Sequence, residues 1–269
     1  MARPRTQDTE DVLKGVERAV ALLNLFSIER PTLDLPGASR VLGIPRSTAY
    51  RLLRSLEAGH LLVYNERERS YRLGLAVARL GQVALASVDL RAAARPYLRG
   101  LVEETGESSF LLVVEGNAAV VIDTQETGEP LKLTRPVGTP WPLHAGASNK
   151  VLLAHLPDDA QAEYLRRPLA RITPRTTTDP RRLARELARI RRRGYGVTTG
   201  ELTPGVVGVA VPILSGGRLL GALAVAGPVS RLSNARIPRI VARLRAAAAG
   251  IVRDLEGTGT HTTSRRWLA

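Results

Sequence analysis

The tripeptide Gly43-Ile44-Pro45 is the sequence feature that most restricts the fold, because it separates two short helical patterns. Apolar spacing before it predicts a helix over Leu35–Leu42, with Asp34 as the N-cap. After it, apolar residues at three- and four-residue steps predict a helix from Arg46 to about Ala58, with Gly59 as its C-terminal stop. The two patterns indicate a pair of helices joined by a tight turn.

Further predicted elements flank this helix pair. An apolar repeat predicts an amphipathic helix over Val12–Ile28, which Pro31 ends. Leu61–Tyr64 and Ser70–Leu73 are predicted strands joined by a charged turn. A hairpin directly after such a helix pair is a wing, so residues 12–74 are predicted to form a winged helix-turn-helix.

The predicted 46–58 helix has two chemically distinct sides. Its apolar side is predicted to pack on the first helix, and its other side carries arginines and hydroxyls, as a helix that enters the major groove requires. Arginine bonds guanine in a bidentate manner, Ser, Thr and Tyr hydroxyls hold phosphates, and arginines on the wing can reach the flanking backbone. The candidate DNA-binding residues are Arg46, Ser47, Thr48, Tyr50, Arg51, Arg54, Arg67, Arg69 and Arg72.

The overall charge favours a polyanionic partner without locating the site. The formal net charge is +14, yet residues 1–74 carry 12 basic and 9 acidic side chains, whereas residues 75–256 carry 25 and 16. The predicted DNA-binding part is therefore not the most basic part, and the scarcity of lysine indicates a compositional skew toward arginine. A solvated face on an ordinary amphipathic helix stays open as the alternative for residues 46–58.

Composition excludes several classes of protein. The 269 residues suffice for two domains, and 44% hydrophobic content permits a substantial core. The sequence lacks an 18-residue apolar run and an N-terminal apolar stretch, so neither a membrane span nor a signal peptide is predicted and a cytoplasmic location is expected. Cysteine is absent, which excludes disulfides, thiol nucleophiles, thiolate zinc sites and iron–sulfur clusters.

The rest of the chain predicts a linker helix over 75–90 and a second domain over 91–256, with disordered ends at 1–11 and 257–269. The helices predicted within the second domain are 91–105, Ser148–His155, Asp158–Arg166, Pro180–Arg193 and about Ile237–Leu255. The predicted strands are Ser109–Val114, Ala118–Gln125, Leu131–Thr134, Val206–Leu214 and Arg218–Ala226. This mixture predicts an antiparallel sheet flanked by helices.

The sequence resembles the IclR family (isocitrate lyase regulators) over roughly residues 12–255. Each matching segment is modest, but their order and spacing are specific. The segments are Gly43–Leu53, Tyr71–Gly74, Pro142–Ala154, Arg193–Gly196, Glu201 with Pro204–Val206, Ala210–Pro212 and Gly227–Pro228.

The resemblance implies a fold and a set of partners. The fold class is α+β: an N-terminal winged helix-turn-helix, a linker helix and a GAF-like effector-binding domain with an antiparallel sheet. The implied partners are palindromic double-stranded operator DNA, a small-molecule effector, and further copies of the chain as a homodimer or a dimer of dimers. Repression of metabolic genes is the family's commoner habit, and activation stays open as an alternative.

The resemblance also places the effector against the sheet, beside a helix that opens near Ala145–Ser148. Small residues allow close approach to the backbone, and unpaired N–H groups at a helix start favour a carboxylate. Glu201 is added as a residue that either holds a loop or touches the effector. The candidate effector-binding residues are Leu131, Leu133, Trp141, Ala145, Gly146, Ala147, Ser148, Glu201, Gly208, Ala224 and Ala226.

Three positions depart from the family members that bind small oxo acids. Gly208 stands where those members tend to have Cys, and Ala224 and Ala226 stand where they tend to have Ser. These changes remove bulk and hydrogen-bonding groups, so a roomier and more apolar pocket is expected. An apolar or aromatic acid is therefore predicted as effector, rather than glyoxylate or pyruvate.

Two other functional classes are weighed against a regulator: an enzyme with an accessory DNA-binding domain and a non-specific architectural DNA binder. His144 and Ser148 are close in sequence, but no Gly-x-Ser-x-Gly elbow surrounds the serine. Asp158 and Asp159 near His155 are interpreted as first-turn acids of a helix rather than metal ligands. No catalytic residue, metal site, cofactor or membrane association is predicted.

Overall fold

The structure is a computed structural model, and it describes residues 14–28, 30–86 and 89–257. The predicted disordered ends lie outside the described residues, except Gly257, which closes the last helix. The chain forms two compact units that divide between Leu85 and Ala86, and each is described by itself.

The N-terminal unit contains helices α1 (Lys14–Leu23), α2 (Leu35–Leu42), α3 (Arg46–Ala58) and α4 (Leu75–Ala86), the last of which ends at the boundary between the units. A small antiparallel sheet of β1 (Thr32–Asp34), β2 (Leu62–Asn65) and β3 (Ser70–Leu73) has the order β1-β3-β2. The core of the unit is built from the apolar sides of the helices and the inner face of the sheet. Its buried residues are Leu22, Leu33, Ala38, Ala49, Leu53, Leu56, Leu62 and Tyr71.

The predicted turn between α2 and α3 is confirmed, with its capping groups. The Asp34 carboxylate accepts a hydrogen bond from the Gly37 N–H at 2.8 Å. Gly43 ends α2 with φ 62°, in the left-handed region that glycine adopts without steric cost. The Ile44 N–H then donates to the Ser39 carbonyl, which satisfies an end group of α2. These capping interactions define the first and the last residue of α2.

One expectation for this unit is wrong: within the described residues, the first helix ends at Leu23 rather than Ile28. The Leu25 and Phe26 N–H groups donate to carbonyls three residues back rather than four, and Ser27 and Arg30 then exchange backbone hydrogen bonds in a turn. The segment that follows supplies β1, a strand that the sequence did not predict because it has only three residues. Leu33 of this strand is buried in the core.

The end of α3 also differs from expectation. Gly59 occupies the C-cap, but its φ is −82°, and the left-handed residue is His60 with φ 59°. The chain after the wing approaches this helix end closely, since a Cβ on Gly74 would lie 2.2 Å from the His60 carbonyl oxygen. The Gly74 N–H donates to the neighbouring Leu61 carbonyl at 2.8 Å. The glycine that this junction requires is therefore the one after the wing.

In its described residues, the C-terminal unit contains a six-stranded antiparallel sheet and five helices. Its strands are β4 (Ser108–Glu115), β5 (Ala118–Gln125), β6 (Pro140–Pro142), β7 (Gly196–Thr199), β8 (Val206–Ser215) and β9 (Arg218–Pro228). Its helices are α5 (Asp89–Thr105), α6 (Ala147–Ala154), α7 (Asp158–Leu165), α8 (Pro180–Arg193) and α9 (Ile237–Gly257). The strand order is β6-β5-β4-β9-β8-β7.

The central strands are buried on both faces, so the sheet lies between two helical layers. Phe110 and Leu112 of β4 belong to the core beneath α6 and α8, whereas Leu111 between them is buried on the opposite face. Helices α5 and α9 pack together against β4 and β8. Gly216 and Gly217, both with positive φ, form the two-residue turn between β8 and β9.

The predicted strand at Leu131–Thr134 is wrong. These residues form no strand, and the Leu131 side chain is 66% exposed. The edge of the sheet is β6, which pairs with Ala118–Val120. Prolines at both ends of β6 lack the N–H that would offer a further pairing edge, which suits an edge position.

Among the described residues, no helix is long and apolar enough to cross a membrane.

The close approach at Gly74 generates a stability prediction. Gly74→Ala is expected to lower the free energy of unfolding of the N-terminal unit by about 1–3 kcal/mol, because its methyl group would overlap the His60 carbonyl. Gly81→Ala is the matched control, since Gly81 lies in α4 with nothing within 4 Å of the added Cβ. That substitution should be neutral or stabilising by roughly 0.5–1 kcal/mol. Calorimetric unfolding of the full chain measures both, and equal shifts would contradict the packing at Gly74.

Candidate functional site

The outward face of α3 presents arginines and hydroxyls to solvent. Arg46, Ser47 and Arg51 are exposed, Tyr50 is 51% exposed, and Thr48 is half-buried. The opposite side of the helix is held in the core by its buried apolar residues. No side chain precedes α3 as a hydrogen-bonding cap, since Pro45 occupies the N-cap. Its first turn therefore leaves backbone donors available to an anion.

The arginines of this face differ in their partners. Arg54 forms an ion pair with Glu57 at 2.8 Å, one turn along the same helix. Arg46 and Arg51 have no hydrogen bond or ion pair from their side chains within the described part of the chain. An exposed pair such as Arg54–Glu57 is worth little in water, so Arg54 can exchange partners at small cost.

The tip of the wing is a compact turn. Asn65 Oδ1 accepts a hydrogen bond from the Arg67 N–H at 3.1 Å, and Arg69 adopts a left-handed φ of 49°. Arg67, Arg69 and Arg72 are all exposed. Glu66 and Glu68 alternate with the first two of these arginines, so the tip itself carries no net charge.

A narrow cavity lies in the C-terminal unit, between the start of α6 and the sheet. Its volume is about 30 Å³, enough for about two water molecules. The apolar part of its wall comes from β4, β8, β9, the start of α6 and the segments that carry Leu133 and Leu202. The lining residues are Phe110, Leu133, Arg135, Gly146, Ala147, Ser148, Thr198, Glu201, Leu202, Thr203, Val206, Gly208, Ala224 and Ala226.

Arg135 is the cation of this cavity. Its guanidinium lies 5.9 Å from the centre of the Phe110 ring and 5.2 Å from the centre of the Trp141 ring. No carboxylate lies within 4.0 Å of it in the described part of the chain. Burial lowers the pKa of Arg135 to about 10, so the side chain is charged at neutral pH. A half-buried cation that lies against two aromatic rings and has no carboxylate partner among the described residues is suited to bind an anion.

A second charged group in the wall is already satisfied. Glu201 Oε1 accepts a hydrogen bond from Lys150 Nζ at 2.5 Å, and Oε2 accepts from the Gly146 N–H at 3.0 Å. Lys150 is 1% exposed and also donates to Glu186 Oε2 at 2.7 Å. Burial raises the pKa of Glu186, but the hydrogen bond and charge of Lys150, together with Arg182, outweigh it and lower the pKa overall. The carboxylate of Glu201 thus occupies a donor near the start of α6 that had been expected to face an effector.

The loop that carries Glu201 is anchored through its backbone. The Thr173 hydroxyl donates to the Gly200 carbonyl at 2.6 Å, and the Thr176 hydroxyl donates to the Glu201 carbonyl at 2.7 Å. Both threonines are buried. Gly200 and Gly205 have left-handed φ values on either side of the loop.

Eight of the predicted effector-binding residues line the cavity, and three do not. Leu131 is exposed, and its carbonyl accepts from Arg231. Ala145 is buried without lining the cavity. Trp141 stacks on Arg135 from outside the lining, and its Nε1 is buried without a partner among the described residues. Sequence reasoning missed Arg135, whose position before Pro136 carries no periodic signal.

The cavity is narrow rather than roomy. The space beside Gly146 is taken by Leu202 and Arg135, since a Cβ on Gly146 would lie 2.6 Å from Leu202 Cδ1 and 3.7 Å from Arg135 Nη2. Next to Gly208, the Ala147 Cβ is already within 3.4 Å of where a side chain would begin. An aromatic acid therefore requires these side chains to move.

The groups considered for catalysis have structural partners. His144 is buried, with its ring nitrogens 3.0 Å from the Tyr164 hydroxyl and 2.9 Å from the Ala170 carbonyl. The Ser148 hydroxyl donates to Asn149 Oδ1 at 3.1 Å. His144 and Ser148 thus make no nucleophile–base pair in the structure. Within the described ranges, no group of three or more potential metal-ligating side chains comes together.

Comparisons with known proteins cover almost the whole chain. Residues 15–66 match the IclR helix-turn-helix domain, and residues 82–253 match the family described as bacterial transcriptional regulator IclR C-terminal. The HTH-type transcriptional regulator BhcR of Paracoccus denitrificans is 33% identical over 227 residues, covering 84% of this chain and 81% of that protein.

Solved structures agree in fold. An IclR transcriptional regulator of a Silicibacter species superposes with a TM-score of 0.81 at 33% identity, covering 90% of this chain and 96% of the other. An IclR homologue of Microbacterium hydrocarbonoxydans, solved in complex with 4-hydroxybenzoate, gives a TM-score of 0.77 at 31% identity, with coverages of 91% and 100%. With both of its domains matched, the chain belongs to the IclR family of bacterial transcriptional regulators.

Proposed function

We propose that the chain is a repressor that binds a palindromic operator through α3 and its wing and is released by a small organic acid bound in the C-terminal unit. The observation that carries the proposal is Arg135, an aromatic-stacked cation without a carboxylate partner among the described residues, in a chain of a DNA-binding family. The acid is expected to have an apolar or aromatic body.

The DNA part of the proposal rests on the exposed face of α3. Arg46 and Arg51 are free to reach base edges, and the hydroxyls beside them can hold phosphates. A homodimer or a dimer of dimers would read two half-sites separated by one helical turn or a multiple of it. Exposed apolar side chains in the N-terminal unit, among them Leu75 and Val83 of α4, favour self-association. A footprint on operator DNA that shows one protected half-site instead of two would contradict binding as a dimer.

The effector part rests on chemistry that Arg135 shares with the apolar wall. A carboxylate can bond the guanidinium, while Phe110, Leu133 and the alanines of β9 accept an apolar body. The Microbacterium hydrocarbonoxydans homologue bound to 4-hydroxybenzoate supports an aromatic acid. Because the cavity is narrow, ligand entry would move Leu202, and the segment between Gly200 and Gly205 would open.

The recognition surface is tested with Arg51→Ala. Loss of a bidentate contact to guanine is expected to weaken binding to the preferred sequence by about 1–3 kcal/mol, or roughly 5- to 150-fold. The operator is first selected from a random duplex library and affinity is then measured by fluorescence anisotropy. Arg99→Ala removes the same charge from an exposed site on α5 and should leave affinity within about twofold. Unchanged affinity in Arg51→Ala would remove α3 from the interface.

The anion site is tested with Arg135→Met. Binding of 4-hydroxybenzoate is expected to weaken at least roughly 10-fold, since a charge-assisted hydrogen bond is lost. Thermal stability without ligand should rise, because the depressed pKa of Arg135 means that burying its charge destabilises the fold at every pH below about 10. Trp141 fluorescence in a Trp267→Phe background and a melting curve report the two effects.

Arg166→Met, at the exposed end of α7, is the control for Arg135→Met and should change neither quantity. A parent chain that gives no saturable response to benzoate or 4-hydroxybenzoate would contradict the effector class. Tight binding retained in Arg135→Met would contradict the role of the arginine.

Substitution of Glu201 is expected to have the opposite effects to substitution of Arg135, both on affinity for the acid and on stability. Glu201→Gln is expected to raise affinity for the acid roughly 3- to 10-fold, because it removes a like charge from the wall, and to lower stability by roughly 1–3 kcal/mol. Glu186→Gln also removes a partner of Lys150, but Glu186 does not line the cavity. It should lower stability without raising affinity. Titration calorimetry and thermal melting separate the outcomes, and equal affinities in the two variants would contradict an electrostatic role for Glu201.

A further inference from the structure

Positive charge in the C-terminal unit is concentrated on one helix. Helix α8 contains seven arginines and one acidic residue, Glu186, among its 14 residues. Its apolar residues Leu183, Leu187 and Ile190 are buried and hold the helix on the domain. The arginines therefore project from a rigid, well-packed element.

Four of these arginines form a row along the solvent side of α8, defined here as Arg181, Arg185, Arg189 and Arg192. At 100° per residue they fall within an arc of roughly 80°, on the side opposite the buried residues. All four are exposed. With a rise of 1.5 Å per residue, the row is about 16 Å long.

The remaining arginines of α8 have local partners. Arg191 bonds Asp158 and the Ala154 and Leu156 carbonyls, Arg182 pairs with Glu186, and Arg193 lies over the Tyr195 ring. In the row, by contrast, no side chain has a hydrogen bond or a carboxylate within 4.0 Å among the described residues.

Two arginines of the row interact with the carboxylate of Asp179 through their charge, without a direct contact. The pKa of the exposed N-cap Asp179 is lowered, chiefly by the Arg182 N–H and also by the charges of Arg185 and Arg181. Asp179 is engaged as the cap of α8, accepting from that N–H at 2.9 Å. Asp179 therefore offsets part of the charge of Arg181 and Arg185, and the row keeps a net positive charge.

We infer that the α8 arginine row binds the phosphate backbone of duplex DNA, as a contact that does not depend on the base sequence. Duplex DNA carries one phosphate charge per 1.7 Å of its axis, so a 16 Å row can meet phosphates along its whole length. The chain belongs to a DNA-binding family, which makes duplex DNA the polyanion that this row is expected to meet. The inference rests on DNA binding by α3 and does not depend on the effector.

The test is the salt dependence of DNA binding by the full chain. Affinity for a 40-bp duplex of arbitrary sequence is measured between 50 and 200 mM NaCl for the parent and for Arg181→Gln/Arg185→Gln/Arg189→Gln/Arg192→Gln. Each neutralised phosphate contributes about 0.9 to the slope of log affinity against log salt. The variant should lose up to about 3.6 from that slope per chain. The ratio of parent affinity to variant affinity should therefore fall by roughly 100-fold between 50 and 200 mM NaCl.

A charge-matched control carries Arg99→Gln/Arg166→Gln/Arg239→Gln/Arg253→Gln, four exposed arginines scattered over other helices. Its slope should stay within about one of the parent value. Equal slopes in both quadruple variants would mean that only the net charge of the chain matters, which would overturn the inference. A row variant with the same slope as the parent would also overturn it. If the row variant keeps the slope of the parent, the row does not bind DNA, and an acidic protein becomes the alternative partner of α8.

Two further variants keep the result interpretable. Replacing the row with lysine should preserve the slope, since a phosphate accepts a point charge, and it guards against misfolding of the glutamine variant. Arg51→Ala in the same titration separates the two surfaces. If the parent does not bind duplex at all, the proposed α3 interface fails; if Arg51→Ala weakens binding and the row variant does not, only the row fails.

Discussion

A single buried ammonium group ties together three segments, two of which line the cavity. Lys150 projects from α6 and meets Glu186 from α8 and Glu201 from the loop after β7. A buried charge without partners costs several kcal/mol, so α6, α8 and this loop hold the one arrangement in which both carboxylates reach the cation. The second oxygen of Glu201 then meets the Gly146 N–H, which ties the loop to the start of α6.

The pocket keeps a second charge that the fold does not compensate. Arg135 lies against two aromatic rings, and burial lowers its pKa, so its charge reduces the stability of the fold. Such uncompensated charges are typical of functional sites. The two charged residues of the wall therefore have different roles. Glu201 has its partners within the chain, whereas no carboxylate lies within 4.0 Å of Arg135 among the described residues, and the proposed acid would supply one.

Helices with explicit end signals were predictable to the residue. Asp34 and Gly43 delimit α2, and Asp179 with Pro180 begins α8, because capping is a local interaction that the sequence spells out. The three-residue strands β1 and β6 were not predictable, since their pairing partners lie far away in the chain. Arg135 was missed for the same reason: its environment is made by β4 and β6. The α3 face was predictable because one helix carries all of it.

In the proposed function, the small size of the cavity would supply the free-energy difference that a switch needs. A ligand shifts an equilibrium only by its differential affinity for the two states, and a cavity of about 30 Å³ is too small for an aromatic acid, which would therefore bind an opened form. Opening would act on Leu202 and on the segment between Gly200 and Gly205, whose backbone is held by Thr173 and Thr176. These two hydrogen bonds would oppose ligand entry. Reciprocity then requires that operator DNA, if it favours the closed form, weakens the acid by the same factor as the acid weakens the operator.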